Sequence, residues 1–269
     1  MTVKERLCTA AVAAIVTVAL FGPAMAPHDP AAVDVANRLA PASARYPLGT
    51  DGLGRCVLSR MLYAGRVTIF SSLAVTLAGL TVGTVVGLAG GYSGGRADAI
   101  LGYLVNVFLS FPALLLALVF VSVLGPGLQH GIAALAAAGW MRYARVVRGI
   151  VRTTRQLTYV HAARAMGAGP LHVVRFHLLP AAAPALWVMA VFGVANAILA
   201  LAVLSFLGLG AVPPTPEWGA MIEASRPFLR TRPGLLLWPA FALVAFAATL
   251  HWAGETLRGR ERLGLEVER

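Results

Sequence analysis

Six apolar runs, at roughly 8–26, 67–90, 100–124, 129–149, 181–210 and 235–254, constrain this chain more than any other feature of it. A lipid core of about 30 Å is crossed by about 20 residues of helix, so each run has the length of a membrane span. In lipid every backbone polar group must be satisfied within the protein, and a helix does so inside one segment. A soluble alternative fails on composition. Of the 269 residues 58% are hydrophobic and 12% charged, whereas a soluble domain carries about a quarter charged residues. The expectation is an all-α, polytopic membrane protein with about six transmembrane helices. The 181–210 run exceeds one upright helix and should tilt, kink or end in a re-entrant piece, with Pro180 and Pro184 marking its start. Pro112, Pro126 and Pro239 fall within or beside other spans, where neighbouring helices satisfy the freed carbonyls.

Three parts follow: an N-terminal helix with an external segment (1–66), a core (67–258) containing a polar segment at 150–180, and a tail (259–269). Lys4, Arg6, an apolar stretch and Ala24-Met25-Ala26 imitate a signal peptide, but Pro27 would become the new first residue, and the first run reads instead as a span. Between 142 and 178 lie Arg142, Arg145, Arg148, Arg152, Arg155, Arg164 and Arg175 with no acidic residue, which places this segment in the cytoplasm. Six spans then leave both termini inside, in keeping with Lys4, Arg6, Arg258, Arg260, Arg262 and Arg269, and turn 28–66 and 211–234 outward. The basic excess, 22 against 11, lies between apolar runs rather than along one exposed face, so it fits a lipid partner and no nucleic acid.

Several chemistries are missing. The sole lysine is Lys4, so no phosphate-cradling Gly-Lys-Ser/Thr loop exists, and ATP would have to be bound and hydrolysed by another chain. No carboxylate lies at mid-membrane depth, which argues against an ion-driven carrier. No HExxH occurs, and no catalytic residue is assigned. His161, His172 and His177 cluster without Asp, Glu or Cys ligands nearby and do not read as a metal site. Cys8 and Cys56 form no framework.

Residues 155–180 read as two short helices broken at Gly167-Ala168-Gly169-Pro170, glycine providing the turn and Pro170 suiting the first turn of the second helix. Val160, Ala163, Ala165 and Met166 offer small apolar contact area, while Arg164 and Arg175 are placed to pair with acidic groups of a partner. Here the sequence resembles the permease subunits of ATP-binding-cassette importers, whose coupling loop reads Glu-Ala-Ala, three residues, Gly, nine residues, then Ile-x-Leu-Pro. This chain has His161-Ala162-Ala163, three residues, Gly167, nine residues, then His177-Leu178-Leu179-Pro180. His161 departs from the usual Glu.

Further stretches resemble the dipeptide, oligopeptide and nickel branch of that family, in its second, C-type subunit. They are Pro47-Leu48-Gly49-Thr50-Asp51-Gly52-Leu53-Gly54-Arg55, Ala89-Gly90-Gly91-Tyr92-Ser93-Gly94-Gly95, Phe111-Pro112, Leu204 to Gly210, and Pro213 to Gly219. Cys56 stands where Asp is usual. The resemblance implies a type I importer permease fold in the inner (cytoplasmic) membrane, a homologous second permease subunit, two ATPase subunits that hold ATP and Mg, and an extracytoplasmic substrate-binding protein. It implies no cofactor in this chain. The ATPase-coupling residues would be His161, Ala162, Ala163, Arg164, Met166, Gly167 and Pro180, and the cargo di- or oligopeptides, with nickel, haem or another small solute as alternatives. Asn106, Ser110, Asn196 and Ser205 are polar residues within apolar runs, placed either to line a path or to bond helices together. A membrane scaffold is the reading from another class.

Overall fold

The computed structural model describes residues 3–267, and its secondary structure is helical apart from one isolated bridge between Thr50 and Cys56. The charged side chains at the two ends, Lys4, Arg6, Arg260, Arg262 and Arg269, lie outside those described. Helix α1 (Val3–Phe21) leads through a 3-10 turn (Gly22–Met25) into an irregular segment that ends at α2 (Val57–Ser93). There follow α3 (Gly95–Leu109), α4 (Ala113–Leu124), α5 (Leu128–Thr154), α6 (Thr158–Ala165), α7 (Pro170–Val173), α8 (Leu179–Phe206), α9 (Trp218–Ser225) and α10 (Gly234–Val267). The boundary expected at 66 falls inside α2.

Helices α2 and α5 form the axis of the bundle, and the reason is a row of glycines. Gly79, Gly83, Gly87 and Gly91 recur every four residues and so share one face of α2. A Cβ at Gly83 would stand 2.5 Å from the Trp140 carbonyl oxygen, and one at Gly87 2.8 Å from that of Ala144. At Gly91 it would meet Val151 at 2.8 Å, so both helices advance in the same direction and pack backbone to backbone. Helix α5 is surrounded by α2, α4 and α8, which explains why it is Ala/Gly-rich and less apolar than the spans Val57–Ser93, Pro170–Phe206 and Gly234–Gly259.

Two expected spans differ. The 100–124 run is not one helix: it breaks at Ser110–Pro112, with an 86° bend between the flanking pieces. Pro112 lacks an N–H and disfavours helical geometry at Phe111, so the ladder stops there. The fifth span does not start at Pro180. Instead α7 runs through a π turn (Val174–Leu178) into α8, giving one continuous helix Pro170–Phe206. Widening the helix just before Pro180 relieves the crowding of its ring against the carbonyl four residues back. That helix stops at 206, short of 210, where Gly208 (φ +77) and a Leu209 N–H to Leu204 carbonyl bond of 2.9 Å close its end.

The 211–234 connector is built around α9, which is tucked into the bundle. Glu217, 1% exposed, accepts from the N–H groups of Gly219 (3.0 Å) and Ala220 (2.9 Å) and from the Thr68 hydroxyl (3.2 Å). The carboxylate therefore caps α9 and ties it to α2. A Cβ at Gly219 would lie 2.5 Å from Ala202 Cα, so glycine is required for that approach of α9 to α8.

Candidate coupling site

The turn between α6 and α7 projects from the end of the bundle where α2 and α5 finish. Val160, Val173 and Leu178, each 0% exposed, insert against Val147 and Val151 of α5 and Ala182 and Leu186 of α8. Ala163 is buried beside them, while His161, Ala162, Ala165, Met166 and Gly167 are exposed. Of the residues the sequence offers as contact area, Val160 and Ala163 are withdrawn into a root with Val173 and Leu178, while Ala165 and Met166 stay exposed; the bare crest is His161, Ala162, Met166 and Leu171. Met166 and Leu171 are 83% and 79% exposed, an unusual position for such side chains unless a partner covers them. Gly167 has φ +91, the left-handed conformation that lets the chain reverse, and a Cβ there would meet nothing within 4 Å. Pro180 sits in the first turn of α8, on the exposed side.

Arginines anchor this turn to the bundle. Arg164 stacks over the Tyr92 ring at 5.1 Å, and its Nε is buried without a hydrogen-bond partner among the described residues. Arg155 donates from NH1 to the Tyr92 carbonyl at 2.9 Å, beside Gly94. One turn further along α3, the Asp98 carboxylate, in the first turn of that helix, is bonded by Arg148 Nε, with Arg152 Nε 3.6 Å from its other oxygen. Arg148 NH2 also donates to the Asp98 backbone carbonyl at 3.0 Å. Of the seven arginines read from the sequence as a basic loop, Arg142, Arg145, Arg148 and Arg152 thus lie on α5, and Arg148, Arg152, Arg155 and Arg164 clasp the α2–α3 turn. Sequence reasoning missed Asp98 and Tyr92 because their partners are some fifty residues or more away. The sequence signal was Asp98 itself, the sole acidic residue between 52 and 216.

His172 and His177 lie 6.1 Å apart, ring to ring, and pack against Phe176 and Tyr159. The four polar residues of the apolar runs are not gathered. Asn106 is exposed and its Oδ1 accepts from Arg145 at 2.8 Å, bonding α3 to α5. The Ser110 hydroxyl is exposed and turned back on the Val107 carbonyl at 2.6 Å. Ser205 is buried and its Oγ accepts from the Ala211 N–H at 3.2 Å, so it holds the turn after α8 rather than a path wall. Of the four, Asn196 alone lines the cavity of about 100 Å³ among α2, α4, α5 and α8, with Thr76, Arg142 and Tyr143.

A helical membrane bundle with a short, bare apolar turn rooted in its central helix suits a transport permease. Residues 79–260 match the family described as binding-protein-dependent transport system inner membrane component, and the chain belongs to it. It is a multi-pass, non-catalytic permease subunit of an ATP-binding-cassette importer, of the dipeptide, oligopeptide and nickel type. The nickel transport system permease protein NikC of Escherichia coli K12 is 39% identical over 253 residues, covering 94% of this chain and 91% of that protein. The probable D,D-dipeptide transport system permease protein DdpC of the same strain is 36% identical, covering 89% and 80%. The glutathione transport system permease protein GsiD of Pectobacterium atrosepticum is 34% identical, covering 91% and 81%. Among solved structures, a chain of the inward-facing MetNI methionine ABC transporter superposes with a TM-score of 0.55 at 23% identity, over 74% of this chain and 96% of that one, and confirms the fold.

Proposed function

We propose that this chain forms, with a homologous second permease subunit, the translocation path for di- or oligopeptides, and that the α6–α7 turn is the point at which two ATPase subunits drive it. The observation that carries the coupling role is the two-faced turn: fully buried at Val160, Val173 and Leu178, and apolar but bare at Met166 and Leu171. ATP and Mg belong to the partner chains, and a substrate-binding protein delivers cargo to the opposite face. Closure of the ATPase pair pushes the crest, and the arginine clasp passes that displacement to α2, α3 and α5. Peptide cargo rests on the dipeptide and glutathione relatives; nickel or its chelate is the second reading, favoured by the 39% identity to a nickel permease. Uptake of labelled dipeptide and of labelled nickel by a deletion strain complemented with this chain decides between them.

Gly167→Trp tests the coupling role directly. An added Cβ meets nothing within 4 Å, and the strain of a side chain at φ +91 falls on an exposed turn away from the bundle, so the permease should assemble in the membrane, yet the crest is obstructed. Stimulation of ATPase activity by loaded binding protein should fall at least about tenfold, the loss of some 1.4 kcal/mol of interaction. Gly167→Asn, which tolerates the left-handed conformation, should retain most of it. Equal stimulation in the tryptophan variant and the wild type would refute docking at this turn.

The orientation, with both termini cytoplasmic, rests on the arginines around the α5 end. Single cysteines at positions 153 and 215, in a background lacking Cys8 and Cys56, should label from opposite sides of intact cells. Labelling from one side would overturn the topology.

A further inference from the structure

At the end of the bundle away from the coupling turn, the irregular segment before α2 folds over α9 and encloses a cavity of about 360 Å³, a size that holds a small organic ligand or an inserted side chain. Its wall is apolar at Val57, Met221 and Leu235, and into it come three arginines, Arg38, Arg55 and Arg60, with Asp51 the sole carboxylate among the lining residues. Arg55 and Arg60 are 8% and 5% exposed, so both guanidinium groups are largely withdrawn from water. They share one carboxylate oxygen: Arg55 Nε lies 2.7 Å and Arg60 Nε 3.5 Å from Asp51 Oδ2. Asp51 is itself committed to the turn, accepting from the N–H groups of Leu53 at 2.9 Å and Arg55 at 3.0 Å. Arg60 also donates to the Pro30 carbonyl at 3.1 Å, and Arg38 sits over the Phe228 ring at 5.9 Å. Two buried cations therefore face one fully engaged anion, and the third arginine adds to the excess at the mouth. Withdrawn charge without a counter-charge is costly, and an incoming anion offsets that cost. Planar, forked guanidinium groups favour a planar carboxylate over a spherical ion.

We propose that this cavity is a carboxylate-binding subsite on the outward face of the permease. Its outward placement rests on the orientation proposed above; the charge excess does not. The carboxylate comes from one of two sources, an acidic side chain of the docked binding protein or a free small molecule. Cys56, buried and unpaired, supplies the means of testing this. It stands at the N-cap of α2, where Asp is a favoured cap, one helical turn before Arg60. Cys56→Asp adds the missing negative charge within the protein and should occupy the arginines internally.

The experiment uses the assembled importer in nanodiscs, which expose both faces. Glutarate is the free probe, followed by saturation-transfer NMR, and binding-protein docking is followed by interferometry with and without glutarate. Wild type should show glutarate contact, weakened at least fivefold in Arg38→Gln and in Cys56→Asp. If the same variants and glutarate itself also weaken docking at least fivefold, the carboxylate comes from the binding protein; if docking is unmoved while glutarate still binds, the subsite serves a free anion. Glutarate contact and docking that are both the same in wild type and Cys56→Asp overturn the proposal. An error of orientation alone leaves the glutarate result intact, so the two failures are distinguishable.

Discussion

Replacing Gly83 by leucine is expected to remove most of the folded permease from the membrane. The α2–α5 contact is the axis on which α3, α4 and α8 are assembled, and at Gly83 it is made backbone to backbone. An added Cβ would lie 2.5 Å from the Trp140 carbonyl oxygen, 2.6 Å from Tyr143 Cβ and 2.9 Å from the Ala144 nitrogen. Two of these three atoms are main chain, so no rotamer change makes room and the helices must separate. Overpacking in a relaxed core costs about 1–3 kcal/mol; here the obstruction is rigid, and lipid offers no hydrophobic force to push the helices back together. Even Gly83→Ala should lower the detergent-extracted, monodisperse yield severalfold. Gly79→Ala, whose Cβ meets Tyr143 at 3.4 Å, and Gly139→Ala, which meets nothing within 4 Å, should behave like wild type. The comparison is made by size-exclusion yield and thermal unfolding of the four variants and the wild type. Equal behaviour of the alanines at 79 and 83 would show that the helices do not approach as closely as described.

What the sequence displayed and what it hid divide along one physical line. Apolar run length, the Gly167 turn and the arginines were visible because each is local: a span, a reversal or a charge cluster is encoded within about twenty residues. The PLGTDGLGR stretch was legible as a motif for the same reason, since Asp51 caps its own turn and Gly49 (φ +77) and Gly54 (φ +78) adopt conformations that glycine favours. Helix length followed less well. Pro112 broke a run that hydropathy showed as continuous, whereas Pro180 and Pro184 failed to break one, because the π turn absorbed the first and the helix continued through the second. The long-range roles of Glu217 and Asp98 were hidden: Glu217 caps its own helix but reaches Thr68 of α2 only through the packing of α9, and Asp98 meets Arg148 only where α3 packs on α5. Polar residues inside apolar runs were the least informative. Ser205 and Asn196 look alike in sequence, yet one holds a turn and the other lines a cavity.

The clasp at Asp98 should matter nearly as much as the glycine row. Asp98 is 8% exposed in its side chain and Arg148 19%, so this ion pair is largely removed from water, while Arg152, at 56%, is not. Breaking a buried pair by deleting one partner strands the other charge, and the penalty for Asp98→Asn should be about 3 kcal/mol, at the lower end for such pairs because Arg152 keeps the cluster open to solvent on one side. Arg152→Gln removes a half-exposed partner and should cost no more than about 1 kcal/mol. The double variant Asp98→Asn/Arg148→Gln removes the stranded charge as well, and should be more stable than Asp98→Asn alone by a measurable coupling energy. Function should follow the same order. Asp98 lies at the start of α3, Arg148 on the last turns of α5, and the adjoining Tyr92 carries the stack of Arg164 from the coupling turn, so loosening the pair lets the turn move without carrying α3 with it. Stimulated ATPase activity should therefore fall further in Asp98→Asn than in Arg152→Gln, with unfolding midpoints in the same order. An Asp98→Asn permease as stable and as strongly stimulated as the wild type would show that the pair merely decorates the end of the bundle, and that force leaves the coupling turn through its hydrophobic root at Val160, Val173 and Leu178 alone.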